Sequence, residues 1–151
     1  MGMDVYGKSP KNEKGEYFRN NVWWWRPLWD YCLDHHPDPA AKVQYGHSND
    51  GDGLDDKDAT KLGMALKKDL LSGKVASFEK KYTKEIEALP LEDCPYCDAT
   101  GIRNDEHVKG TCNGCQGSGK TKSWKASYPF AEQNVEEFAD FLVNSGGFSI
   151  C

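Results

Sequence analysis

The chain has 151 residues, 28% of them charged and 12% aromatic, with a formal net charge of −5. That is enough chain for one buried core carrying at most a small insertion. The acidic balance disfavours non-specific nucleic-acid binding, which needs a basic surface, and no apolar run reaches the length of a membrane span.

In chain order, Met3–Tyr6 alternates apolar with polar residues and reads as a short strand. Ser9–Gly15 is a polar turn. Tyr17–Trp25 is rich in aromatic residues and is expected as a strand, which sends Trp24 to one face and Trp23 and Trp25 to the other. Pro27 suits the first turn of a helix over Leu28–His36, ended by Pro37 and Pro39. Lys42–Tyr45 reads as a further strand and Gly46–Gly53 as a loop. Asp55 or Asp56 caps a helix to Ser72 with Ala59, Leu62, Leu66 and Leu70 on one face. A second helix over Lys74–Leu89 would make a helical hairpin with it. After Cys94–Gly119, Asn134 and Glu137 suggest a capping box for a last helix to Asn144. Gly146 and Gly147 stop that helix, and Phe148 and Ile150 mark a closing strand. The fold class is α+β, a small antiparallel sheet with helices on one side and an inserted treble-loop zinc hairpin. The domain reading is one α+β domain over 1–90 and 126–151, with the hairpin over 91–125.

The clearest chemistry is a pair of short repeats. Cys94-Pro95-Tyr96-Cys97 and Cys112-Asn113-Gly114-Cys115 are two C-x-x-C pairs with fourteen residues between them. That ligand set suits one structural Zn²⁺ held by Cys94, Cys97, Cys112 and Cys115. Gly101, Gly117 and Gly119 sit where tight turns would aim backbone N–H groups at the thiolates. Four thiolates leave no open position for water, so this zinc is expected to be a staple and not a catalyst. Two disulfides or four free thiols are the alternatives. Zinc thiolates, and an N-terminus Met1–Lys8 with no signal-peptide pattern, point to the cytoplasm.

The second repeat matches C-x-x-C-x-G-x-G in full and resembles the cysteine-rich domain of DnaJ-type chaperones. The first has Ala99 where that family has glycine, and the chain carries two repeats where the family carries four. The resemblance covers Cys94–Gly119 and implies a zinc hairpin, not an activity. The stretch Gly15-Glu16-Tyr17-Phe18-Arg19-Asn20-Asn21 resembles short uncharacterised bacterial and phage proteins and implies no activity either.

Three functional readings follow. The first is a cytoplasmic zinc-stapled binding or adaptor protein whose partner is a protein or a small anionic or aromatic ligand. Its surface would be built from Trp24, Arg26 and Trp29 with Asn49 and Asp50. The second is a small metal-dependent or acid–base hydrolase on the loop residues His47, Asp50 and Asp52. The third is a co-chaperone-like adaptor using His36-Pro37-Asp38, the tripeptide with which J-domains engage their partner. The segment before it carries Asp30 and Asp34 and no lysine, unlike the basic helix of that family. The balance leans away from an enzyme.

Overall fold

The computed structural model describes residues 1–151. Its elements run β1 (Gly2–Gly7), β2 (Tyr17–Asn21), α1 (Val22–His35), α2 (Pro37–Ala40), β3 (Gly53–Asp55), α3 (Asp56–Leu71) and α4 (Lys74–Glu87). Then come β4 (Glu92–Asp93), β5 (Ile102–Asn104), β6 (Lys109–Thr111), β7 (Lys120–Thr121), α5 (Glu132–Asn144) and β8 (Gly147–Ile150). No helix is long and apolar enough to cross a membrane. The chain divides into two compact units. The main unit is Met1–Thr83 with Tyr128–Cys151, and the cysteine unit is Lys84–Ser127.

The main unit is built on an antiparallel sheet of order β2-β1-β8-β3. Register sets one face apolar: Val5 lies opposite Phe18 on one side and Ile150 on the other, and Leu54 lies opposite Phe148. All of these are buried, with Met3, while Asp4, Tyr6, Tyr17 and Arg19 take the open face. The helices cover the apolar face. Phe138 of α5 lies 5.0 Å from Phe18 and edge-on to Trp25, and Trp29 of α1 meets Phe148 edge-on. The mixed α+β class and the one-sided sheet are as the sequence predicts.

Five local expectations are corrected. The aromatic run is not a strand: β2 stops at Asn21, whose side chain accepts from the Trp24 amide and caps α1, so Trp23, Trp24 and Trp25 lie on a helix. Helical spacing then buries Trp25, Leu28, Trp29 and Cys32 together, with Pro27 inside the helix and not at its start. Lys42–Tyr45 forms turns, and the strand that completes this edge of the sheet is β3. The helix α3 lies chiefly on α5, not on α4, where Gly63 lets the backbones approach: a Cβ there would come within 2.7 Å of Val143. Asn134 caps nothing. The N-cap of α5 is Ala131, without a side-chain bond, and Asn134 exchanges amide hydrogen bonds with Asn20 at 2.8 and 2.9 Å.

Candidate metal centre

In the cysteine unit, Cys94, Cys97, Cys112 and Cys115 are buried, and their four sulfurs lie within 4.8 Å of one another. Cys94 Sγ is 3.9 Å from Cys112 Sγ, and Cys97 Sγ is 3.7 Å from Cys115 Sγ. A tetrahedral ion with metal–sulfur bonds of about 2.3 Å has sulfur–sulfur edges of about 3.8 Å. A disulfide would need about 2.05 Å. The donor set therefore fits a closed four-sulfur site.

The scaffold is two copies of one turn related by a pseudo-twofold, each residue matching the one eighteen positions on. Cys94 N–H donates to the Gly119 carbonyl and Cys112 N–H to the Gly101 carbonyl, both at 2.9 Å. Gly101 N–H donates to Cys97 Sγ and Gly119 N–H to Cys115 Sγ, both at 3.2 Å. The same rotation carries the β4–β7 ladder onto β6–β5. Both glycines are locked by geometry. Their φ values are +77° and +76°, and a Cβ on either would stand 2.4 Å from a backbone oxygen of the opposite copy.

Burial and hydrogen bonding oppose one another at these sulfurs. Burial pushes the Cys94 thiol up to about 11. Burial also opposes ionisation of Cys115, but the Gly119 amide and the neighbouring thiols of Cys97 and Cys112 prevail and hold it down to about 6. A group already inclined to be a thiolate is a ready first ligand for a cation.

The hydroxyls of this scaffold are not foreseen from the cysteine pattern. Thr100 Oγ1 donates to the Cys97 carbonyl at 2.6 Å, and Ser118 Oγ to the Cys115 carbonyl at 2.7 Å. Each also receives the amide two residues on. Their equal offset from the cysteines was the available signal.

The other candidate residues are placed as follows. Trp29 is 1% exposed and stacked on Trp25 with centroids 5.6 Å apart, so it presents no face to a ligand and is removed from the candidate surface. Trp24 is half-buried and Arg26 exposed. Asn49 is exposed and donates to the Gly2 carbonyl at 2.9 Å. The aromatic helix and the Gly46–Asp52 loop do meet, through hydrogen bonds that tie the loop down: Trp25 Nε1 donates to the Gly46 carbonyl at 2.7 Å.

His47, Asp50 and Asp52 are each engaged elsewhere. His47 Nε2 meets Asp30 Oδ1 at 3.0 Å, and its Nδ1 is buried without a partner. Asp50 accepts from Ser48. Asp52 accepts the Tyr45, Gly53 and Gln44 amides, which hold its carboxyl below the usual carboxylate range. In the His36-Pro37-Asp38 tripeptide, His36 Nε2 lies 2.6 Å from the buried Asp69 carboxylate, and Asp38 pairs with Lys61. Burial pushes the Cys32 thiol up, and Asp69 adds to the effect, so this thiol is no nucleophile.

Comparison with protein-family models, with curated proteins and with solved structures finds no match. The case for a metal rests on the four sulfurs and their scaffold.

Proposed function

We propose that the chain is a zinc-stapled binding protein. The observation that carries this is the set of four buried sulfurs within 4.8 Å, two of them already receiving backbone N–H bonds. Zinc prefers such a tetrahedral thiolate site, and four thiolates fill its coordination sphere. The ion then fixes the shape of the cysteine unit and does no chemistry, like one half-unit of the DnaJ-type cysteine-rich domain.

Binding is supported by what this unit leaves outside. Leu91, Tyr96, Ile102 and Trp124 are 61–66% exposed, apolar surface that a partner could cover. Tyr96 is held for contact: the Arg103 guanidinium stands 5.9 Å from its ring centroid, and a Cβ on Gly114 would come within 2.6 Å of the ring.

Elemental analysis of purified protein should find one zinc per chain, lost in Cys112→Ser. Cobalt exchanged into the site should give the spectrum of a tetrahedral four-thiolate centre. A chain that retains no zinc, or a cobalt spectrum showing bound water, would overturn the reading.

A further inference from the structure

The chain contains eight asparagines, and only Asn113 is followed by glycine. Glycine has no Cβ, so it leaves its own peptide nitrogen unshielded and the backbone free to turn. That nitrogen can reach the side-chain amide carbon of the preceding asparagine and close a five-membered ring. Asn113-Gly114 lies inside the second C-x-x-C turn, between Cys112 and Cys115, and both residues are exposed. The first turn has Pro95-Tyr96 at the corresponding positions, so this chemistry belongs to one copy alone.

In the folded turn the pair is held on three sides. Arg103 Nη1 donates to Asn113 Oδ1 at 3.1 Å, and Arg103 is itself fixed by Asp105 at 2.7 Å. Gln116 Nε2 donates to the Asn113 carbonyl at 3.2 Å. The Tyr96 ring covers Gly114, where a Cβ would stand 2.6 Å from ring carbon Cδ2. Any other residue at 114 would meet that ring, so the fold requires the glycine that exposes Asn113. Ring closure needs the Asn113 side chain and the Asn113–Gly114 peptide plane to rotate toward each other, which breaks these contacts.

We infer that Asn113 is a deamidation site guarded by the metal: zinc holds the turn that keeps it intact, and loss of zinc opens it to irreversible conversion. The Gly114 nitrogen bonds to Asn113 Cγ, the Cγ–Nδ2 bond breaks, and the Gly114 amide proton leaves with Nδ2 as ammonia. Water then opens the succinimide. Addition at Cγ gives aspartate. Addition at the main-chain carbonyl gives isoaspartate, in which the chain runs through Cβ and Cγ and is one atom longer. The two products differ in consequence. Aspartate keeps the C-x-x-C spacing and gives Arg103 a carboxylate to pair with. Isoaspartate lengthens the turn between Cys112 and Cys115, whose sulfurs lie within 4.8 Å of those of Cys94 and Cys97. The isoaspartate form therefore loses the ability to take zinc again.

The inference rests on the zinc reading and deepens it. Full-length protein is incubated with reductant at physiological temperature, either saturated with zinc or with a chelator. Mass spectrometry follows the tryptic peptide 110–120, and isoaspartyl methyltransferase labelling counts isoaspartate. Asn113 should convert about tenfold or more faster once zinc is removed, because the turn then opens freely. Asn49, an exposed residue of the main unit, should convert at one rate in both samples. When zinc is returned, the fraction of chains that fail to bind it should match the isoaspartate fraction. Asn113→Gln, whose ring closure is larger and slower, should keep full zinc capacity after the same incubation. Freshly purified Asn113→Asp, the ordinary product, should bind zinc within about threefold of the parent. Equal conversion of Asn113 with and without zinc overturns the inference. So does an isoaspartate form that binds zinc like the parent, or an equal loss of capacity in Asn113→Gln. Those results leave the one-zinc stoichiometry of fresh protein standing. Fresh protein without zinc overturns the metal reading, and the guard with it.

Discussion

Ala99 has a φ of +65°, in the left-handed region, where its counterpart Gly117 sits at +86°. An L-residue there costs about 1–2 kcal/mol, and glycine returns part of that through its freer unfolded chain. Ala99→Gly should therefore stabilise the cysteine unit by up to about 1 kcal/mol, tightening zinc about fivefold in chelator competition. Gly117→Ala should move affinity the other way, since its Cβ would also press on Thr111 Cγ2 at 3.1 Å. Zinc weakened by Ala99→Gly would contradict the pseudo-twofold account of the turn. Residue-level chemistry was the most legible part of the sequence here. C-x-x-C spacing and the glycines after it act within one turn, so the pattern contains its own geometry. Trp29 was not legible, because an aromatic residue suits a core and a ligand face equally, and only the helical phase separates them.

Between elements, Asp69 joins three helices of the main unit. Its Oδ2 accepts from Tyr31 Oη of α1 at 2.8 Å and faces His36 Nε2, at the end of that helix, at 2.6 Å. Its Oδ1 lies 3.9 Å from Lys74 Nζ at the start of α4. Burial alone would raise this carboxyl, but the bonds from His36 and Tyr31 outweigh it and hold it below the ordinary range. A depressed folded value contributes stability that is complete above the usual carboxylate pKa of about 3.9 and is lost as pH falls through the folded value. Asp69→Asn should cost roughly 1–3 kcal/mol at neutral pH, and the gap from the parent should close below about pH 4. Urea titrations of both proteins across that range test it, and acid release of metal cancels in the difference. Parallel curves down to the lowest pH would show that Asp69 makes no such contribution. None of this was visible in sequence, because His36 and Asp69 come from separate helices. The strand assignment for Trp23–Trp25 failed for a related reason: β-propensity of aromatics is weak, and the cap at Asn21 together with the core facing Trp25 decided for helix.

At the scale of the molecule, the two units hold together by different means. The main unit buries a continuous apolar core from Met3 to Ile150, closed by the pairing of Val5 with Ile150 across the ends of the chain. Both strands were readable as alternation, but their partnership was not, since register between distant segments leaves no local mark. The cysteine unit has no such core; its buried hydrophobic cluster is the four cysteines. Its two ladders are two and three residues long, too short to stand alone in water. A structural zinc supplies on the order of 10 kcal/mol to a unit of this kind. Chelation should therefore unfold residues 91–125 and leave the core helices intact. Hydrogen exchange read by mass spectrometry should show amides of Ile102–Thr111 losing protection on chelator addition, while Val135–Leu142 keeps it. Restoring zinc should restore the first set. If chelation leaves Ile102–Thr111 protected, the hairpin is held by something other than its metal. If Val135–Leu142 opens with it, the core does not stand on its own buried residues.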